Sequence, residues 1–314
     1  MSSPILVGYD PKSADTAPVD FAAAAARFTG APLVVAAVFP GGSVLERLSG
    51  GEHGHAGSAD DDGALDELRS RLKVAGVETT FDVVRHTTPA RGLAEAIERA
   101  QPVLLVLGST HRGGVGRVLP GSTAERVVHG APCGVVVVPH GHELHQDGVS
   151  TVGVAFAPTP EGREALRAAA LLAGAAQARL RAVMVLDPKH AEEESPGLMA
   201  DQHRDHDPAE DVAARHSIDA ERTLRDAISE LAGRVETEPD ILFQDPAEGI
   251  VAASRSLDLL VMGSRAYGPL RAVMLGGVSR QVTAKASCPV LVLPRGAEDQ
   301  LYALLSAAEA RAAG

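Results

Sequence analysis

The chain has 314 residues, 45% of them hydrophobic but only 3% aromatic, with a formal net charge of −12. That length supports two ordinary cores, and the acidic balance argues against a nucleic-acid surface, which draws mainly on Lys and Arg. Its two cysteines lie outside any CxxC pair, its N-terminus MSSPILVGYD lacks a signal pattern and no apolar run approaches a membrane span; disulfide scaffold, zinc knuckle and membrane protein are disfavoured, and a cytoplasmic protein is expected.

In chain order, the apolar run Ile5 to Tyr9 leads through Asp10 to an Ala-rich amphipathic stretch from Asp15 to Phe28, predicting strand, turn and helix. Leu33 to Phe39 is a second strand, Leu65 to Ala75 a helix, Thr79 to Arg85 a strand, and Pro89 to Ala100 a helix with proline in its first turn. A strand from Val103 to Leu107, a helix from Ser122 to His129 and a strand from Gly134 to Val138 complete five strands in βα order. A polar linker, HGHELHQDG, follows from His140 to Gly148.

The pattern then returns. Strands are predicted at Thr151 to Phe156, Leu180 to Leu186, around Asp240 to Phe243, Leu259 to Met262 and Val290 to Leu293. Helices are predicted at Pro160 to Ala176, up to about Gly233, at Ala247 to Ser256 and at Ser279 to Ala286, with one more from Glu298 to Ala313. Gly41 to Gly63 and Pro188 to Ala214, charged and rich in Gly and Pro, read as mobile loops after the second strand of each half.

The return is a true duplication. LVLGSTHRGGVGRVLPGSTAERVVHGAPCGVVVVP, ending at Pro139, is answered by LVMGSRAYGPLRAVMLGGVSRQVTAKASCPVLVLP, ending at Pro294; Gly108 and Gly263, Gly121 and Gly276, Cys133 and Cys288 each differ by 155. Aliphatic cores with so few aromatics suit parallel sheets under Ala-rich helices. The reading is therefore α/β, with two tandem doubly wound domains at 1–140 and 149–295 and a tail helix over 296–314. Ligands are expected at the carboxyl ends of the strands, where strand order reverses. Val135 to Val138 and Val290 to Leu293 would lie at sheet edges, which invites pairing or cover.

Chemistry is expected after the fourth strand of each copy. Gly108, Ser109, Gly113, Gly114 and Gly116 let a backbone approach a ligand, and Gly121-Ser122-Thr123 opens a helix whose free N–H groups suit an anion, phosphate above all. The bland reading has the glycines only permitting turns and Ser122 only capping. Arg112 and Arg117 flank the first segment, Arg265 and Arg271 the second; each is placed either to neutralise phosphate or simply to be solvated. His190, His203, His206 and His216, and His140, His142 and His145, have no metal-specific spacing, and no metal site is assigned. Asp60 to Asp62 and Glu192 to Glu194 read as solvated loop. No Walker lysine, nucleophile elbow or triad can be placed.

On these residues the chain resembles the universal stress protein family in its tandem two-domain form, over nearly its whole length. The family's nucleotide-binding members carry Gly-x-x-Gly, nine residues, then Gly-Ser or Gly-Thr, with an Asp at the end of the first strand. Gly108, Gly121 and Ser122 match, with His111 at the second glycine; Asp10 matches the carboxylate that meets adenosine and Val38 the adenine-contacting valine. The second copy keeps Gly263 and Gly276, but Ala266, Gly277 and Ala157 replace the second glycine, the serine and the carboxylate. A second glycine allows positive φ and close approach, which His111 tolerates better than Ala266 does. Losing the carboxylate removes an acceptor worth on the order of 1 kcal/mol. His111 either donates to a phosphate or fills the ligand's space; both readings stand.

The resemblance implies a Rossmann-like, adenine nucleotide α-hydrolase-like fold, with five parallel strands in the order 3-2-1-4-5 in each domain. It implies a nucleotide site at Gly8, Asp10, Val38, Gly108, Ser109, His111, Arg112, Gly113, Gly114, Gly121, Ser122 and Thr123. A weaker second site would use Val185, Gly263, Ser264, Arg265, Gly268, Gly276, Gly277 and Val278. The expected ligand is ATP, with AMP or cAMP as alternatives, in a stress-response regulatory module rather than an enzyme, any hydrolysis being slow and incidental. The alternatives are a scaffold that binds no nucleotide and an enzyme of the wider adenine-nucleotide hydrolase class. The family's edge-strand dimerisation implies that the two halves pair as an internal pseudo-two-fold dimer, with homodimerisation open.

Overall fold

The structure, a computed structural model, describes residues 3–11, 13, 15–40, 59–109, 126–145, 148–188, 208–231, 233, 235–264, 273 and 275–312. The first repeat runs β1 (Ile5–Tyr9), α1 (Ala17–Thr29), β2 (Leu33–Pro40), α2 (Ala59–Val74), β3 (Thr79–His86), α3 (Pro89–Ala100), β4 (Leu104–Gly108) and β5 (Gly134–Val138). The second runs β6 (Thr151–Phe156), α4 (Pro160–Ala176), β7 (Arg179–Leu186), α5 (Pro208–Ser229), β8 (Thr237–Phe243), α6 (Pro246–Ala253), β9 (Leu259–Gly263), α7 (Gly277–Lys285) and β10 (Val290–Leu293). A 3-10 turn, Ser254–Ser256, prolongs α6, and α8 (Ala297–Ala312) closes the chain. Of the helix expected over 122–129, Arg126–Val128 are helical and 122–125 lie outside the described residues.

Each repeat has the expected strand order 3-2-1-4-5, and the two join at their edge strands into one sheet of ten, ordered β3-β2-β1-β4-β5-β10-β9-β6-β7-β8. Every pairing is parallel except the central one, where β5 and β10 run antiparallel with Val137 opposite Val290, Val136 opposite Leu291 and Val135 opposite Val292. Strand alternation explains why this join is stable: Val136, Val138, Leu291 and Leu293 enter the core on one face, while Val135, Val137, Val290 and Val292 enter the core on the other. Two apolar edges that would each expose a ladder of N–H and C=O groups cover one another.

On the first face lie α1, α2, α4, α5 and α8; on the second lie α3, α6, α7 and the turn at Val127–Val128. Both cores cross the repeat boundary. The tail helix buries Ala297, Leu301, Leu304 and Leu305 and packs on α1 and α4, one from each repeat.

The corrections are local. The loops expected over Gly41–Gly63 and Pro188–Ala214 end earlier, because 59–63 start α2 and 208–214 start α5; acidic residues in a first helical turn complement the macrodipole, and Pro208 suits N1. Residues 41–58 and 189–207 lie outside the described residues. Strand β8 begins three residues before the expected Asp240 and includes Pro239, which an edge strand accepts because its outer N–H groups need no partner. The polar linker is docked: Leu144 packs on the first core.

Candidate functional site

In the first repeat the strand order reverses between β1 and β4. After β1 the chain passes to α1 on the first face, whereas the turn at Val127–Val128 that precedes β5 lies on the second face. The carboxyl ends of β1 and β4 therefore diverge into a crevice. Gly8, Asp10, Gly108 and Ser109 stand there, with Val38 one strand away near the end of β2.

Most of these residues turn out to serve packing as well. A Cβ on Gly8 would come 3.0 Å from Leu107 Cδ2 and 3.2 Å from Leu93 Cδ2, and one on Gly108 would come 2.8 Å from Pro18 Cγ. Val38 is half-buried under α3, where a Cβ on Gly92 would approach its Cγ1 to 2.5 Å. Asp10 is exposed at the end of β1, and its carbonyl accepts from Ser13 N at 2.9 Å, turning the chain out of the strand. Ser109 is buried: its N–H donates to Val138 O at 2.9 Å and its Oγ accepts from His140 N at 2.8 Å. His111, Arg112, Gly113, Gly114, Gly121, Ser122 and Thr123 lie outside the described residues, as do Gly116 and Arg117.

The second repeat repeats the plan. Ser264 N donates to Leu293 O at 2.9 Å, matching Ser109, yet Ser264 Oγ is buried with no partner among the described residues. Val185 is half-buried under Gly249 of α6, as Val38 is under Gly92; a Cβ there would lie 2.9 Å from Val185 Cγ1. The strand-to-helix connection differs. Seven residues, 10–16, join β1 to α1, but only 157–159 join β6 to α4. The first turn of α4 packs on the strand end as that of α1 does on Gly108: a Cβ on Gly263 would meet the backbone oxygen of Glu161 at 2.8 Å. Ala157 is exposed and accepts from Thr159 N at 2.7 Å in this tight turn. At the other wall, α7 begins at Gly277, two residues before the expected Ser279; Gly276 N donates to Ser279 Oγ at 2.8 Å, Gly277 is exposed and Val278 is half-buried. Val273 exchanges hydrogen bonds with the first repeat, accepting from Gly130 N and donating to Ala131 O, each 3.2 Å. Arg265, Ala266, Gly268 and Arg271 lie outside the described residues.

Sequence reasoning missed the linker's part in this geometry. His140 Nδ1 lies 2.7 Å from Asp15 Oδ2, while Asp15 Oδ1 accepts from Ala17 N at 3.1 Å and Gly141 N at 3.3 Å, tying the linker to the start of α1. Farther on, His142 is held below the usual imidazole range chiefly by burial, against the pull of Asp258. Asp258 is itself buried, accepts from Ser150 N, Ser150 Oγ and Thr151 N at 2.7 to 2.8 Å, and lies 3.5 Å from His145 Nε2. The available signal was positional: three histidines in nine residues beside a buried strand end. Burial, then the Glu67 carboxylate, raises the Tyr9 phenol, and burial pushes both Cys133 and Cys288 up to about 12. Among the described residues, no three His, Cys, Asp or Glu side chains gather as a metal site. His190, His203 and His206 lie outside those residues. No helix among the described residues is long and apolar enough to cross a membrane.

Comparison with known proteins agrees with this architecture. A sequence model described as the universal stress protein family matches residues 1–139 and again 148–294. A universal stress protein of Mycolicibacterium smegmatis is 26% identical over 325 aligned positions, covering 92% of this chain and 96% of its own. One from Mycobacterium tuberculosis is 25% identical over 226, covering 70% and 73%. Among solved structures, a universal stress protein from Archaeoglobus fulgidus superposes with a TM-score of 0.59 at 18% identity, covering 94% of this chain and all of that one. A functionally unknown protein from Pseudomonas aeruginosa gives 0.64 at 16% identity, covering 98% and 97%. At such identities the superpositions speak for the fold alone.

Proposed function

Since the chain belongs to the universal stress protein family, with one family domain in each repeat, we propose that it is a regulatory module that binds an adenine nucleotide, ATP foremost, in the first repeat. The observation that carries this reading is the asymmetry at the strand ends. Repeat one keeps Asp10 exposed at the end of β1 and a seven-residue connection to α1. Repeat two has Ala157 at that place and only residues 157–159 before α4. An exposed carboxylate there can accept from ribose hydroxyls. The protein acts by binding rather than turnover, and hydrolysis is incidental. The pairing of β5 with β10 supports an internal pseudo-dimer as the working unit.

Calorimetric titration of the full chain with ATP, AMP and cAMP tests the proposal. One site per chain is expected, weakened about tenfold or more by Asp10→Ala, the loss of a charge-assisted bond. No binding at millimolar ligand would falsify it. That result would favour the scaffold reading, which the replacements at Ala157 and Gly277 already favour for repeat two. Turnover abolished by a single substitution would instead establish an enzyme.

A further inference from the structure

The two repeats end in the same device, built from different chemistry. After β5, residue 140 pairs with an acid at the start of α1, and Gly141, in the left-handed region at φ 65°, donates its N–H to a carboxylate there. After β10, residue 295 pairs with an acid at the start of α4, and Gly296, at φ 79°, does the same: Arg295 Nη2 lies 3.1 Å from Glu161 Oε1, and Gly296 N donates to Glu164 Oε2 at 3.1 Å. Position 295 is position 140 carried forward by the repeat offset of 155. The cation is a permanently charged guanidinium in one repeat and a titratable imidazole in the other.

The histidine version reaches further into its crevice. His140 touches the start of α1 through Asp15 and, through its own N–H, the Oγ of Ser109 at the end of β4. Its counterpart Ser264 receives no such bond among the described residues. His140 thus fastens the linker between the repeats to both walls of the first crevice, immediately before the glycine-rich segment. Asp15 is deeply buried, its side chain 7% exposed, so solvent screens the pair little.

We infer that His140 is a positioning residue of the first crevice, and that its charge sets how firmly the linker latches across that crevice. A protonated imidazole makes a charge-assisted bond to Asp15, roughly twice as strong as the neutral one. The latch is tight when that imidazole carries charge and slack when it does not, whereas the Arg295 guanidinium is charged throughout. Among the described residues, the groups that bear on His140 include Asp15 from the start of α1 and Ser109 from the end of β4, with His142 and Glu143 beside it in the linker and His145 and Asp258 at the linker's far end. His142 responds in the opposite sense, since burial disfavours its charge. Comparison with His140→Arg separates the two.

The latch stands on its own geometry, whereas its effect on ligand rests on the nucleotide reading above. Amide exchange of ligand-free full chain, corrected for intrinsic chemistry, is measured at about pH 6 and about pH 8 for wild type, His140→Arg and Asp15→Asn. Protection of the residue-140 and Gly141 amides is expected to fall about threefold in wild type as pH rises, to stay high in His140→Arg and low in Asp15→Asn, with Gly296 flat throughout. Asparagine keeps an oxygen for Ala17 N, so α1 is retained, but it offers no charge to His140 and accepts more weakly from Gly141 N. The same pH dependence in wild type and His140→Arg overturns the latch, as does unchanged protection in Asp15→Asn. ATP titration of the same proteins then reads the coupling: affinity that weakens with pH in wild type but not in His140→Arg supports it, and identical profiles overturn it. Failure of every protein to bind ATP, with exchange behaving as expected, defeats the nucleotide reading and not the latch.

Discussion

Ser109 and Ser264 occupy the same place after the fourth strand of their repeats, yet their hydroxyls end differently. Ser109 Oγ accepts from His140 N, whereas Ser264 Oγ is buried without a partner among the described residues. An unmade buried hydrogen bond costs desolvation with no return, so Ser264→Ala should change stability by less than about 0.5 kcal/mol or raise it, while Ser109→Ala should cost about 1 kcal/mol. Urea unfolding of the two variants decides this. Asp258 is the opposite extreme, a buried carboxylate with three donors at the start of repeat two. Asp258→Ala strands those donors and should cost about 2–4 kcal/mol in the same assay. The His142 imidazole, held low by burial, contributes stability that is complete above about pH 6.5 and lost as pH falls through its depressed value. Melting temperature should fall less steeply with acidification in His142→Gln than in wild type. Both thiols, buried and raised to about 12, should resist alkylation at about pH 8 until the chain is unfolded.

At the scale of elements, the helix that varies most in consequence is α8. Its buried leucines fill the seam where α1 and α4 meet, so it braces one repeat against the other. Leu301→Ala empties a fully buried site and should cost about 2–4 kcal/mol. Denaturant midpoints read that loss; an effect under about 0.5 kcal/mol would show that the helix merely rests on the surface. The elements themselves were largely legible. β5, β6, β10, α3 and α4 fall on the residues their patterns predict, because valine runs and proline-started amphipathic stretches mark them locally. Less legible were the starts of α2 and α5, where acidic and proline-containing stretches resemble loop, and the start of β8, where Pro239 reads as a stop until the strand is known to be at an edge.

Across the whole molecule, two cores run uninterrupted through the β5–β10 seam. Thermal unfolding should therefore show one cooperative transition; two resolved transitions, each tracking one repeat, would contradict this account of the seam. The sequence by itself determined the α/β class, the duplication, the helix and strand periods and the unequal chemistry of Asp10 and Ala157, since all of these reside in residue type and spacing. Only the tertiary structure decided the register in which β5 and β10 pair, that Gly92 and Gly249 admit Val38 and Val185, and that His140 binds Asp15 125 residues away. Contacts of that kind depend on which surfaces the fold brings within a few ångströms of each other, and no local pattern records them.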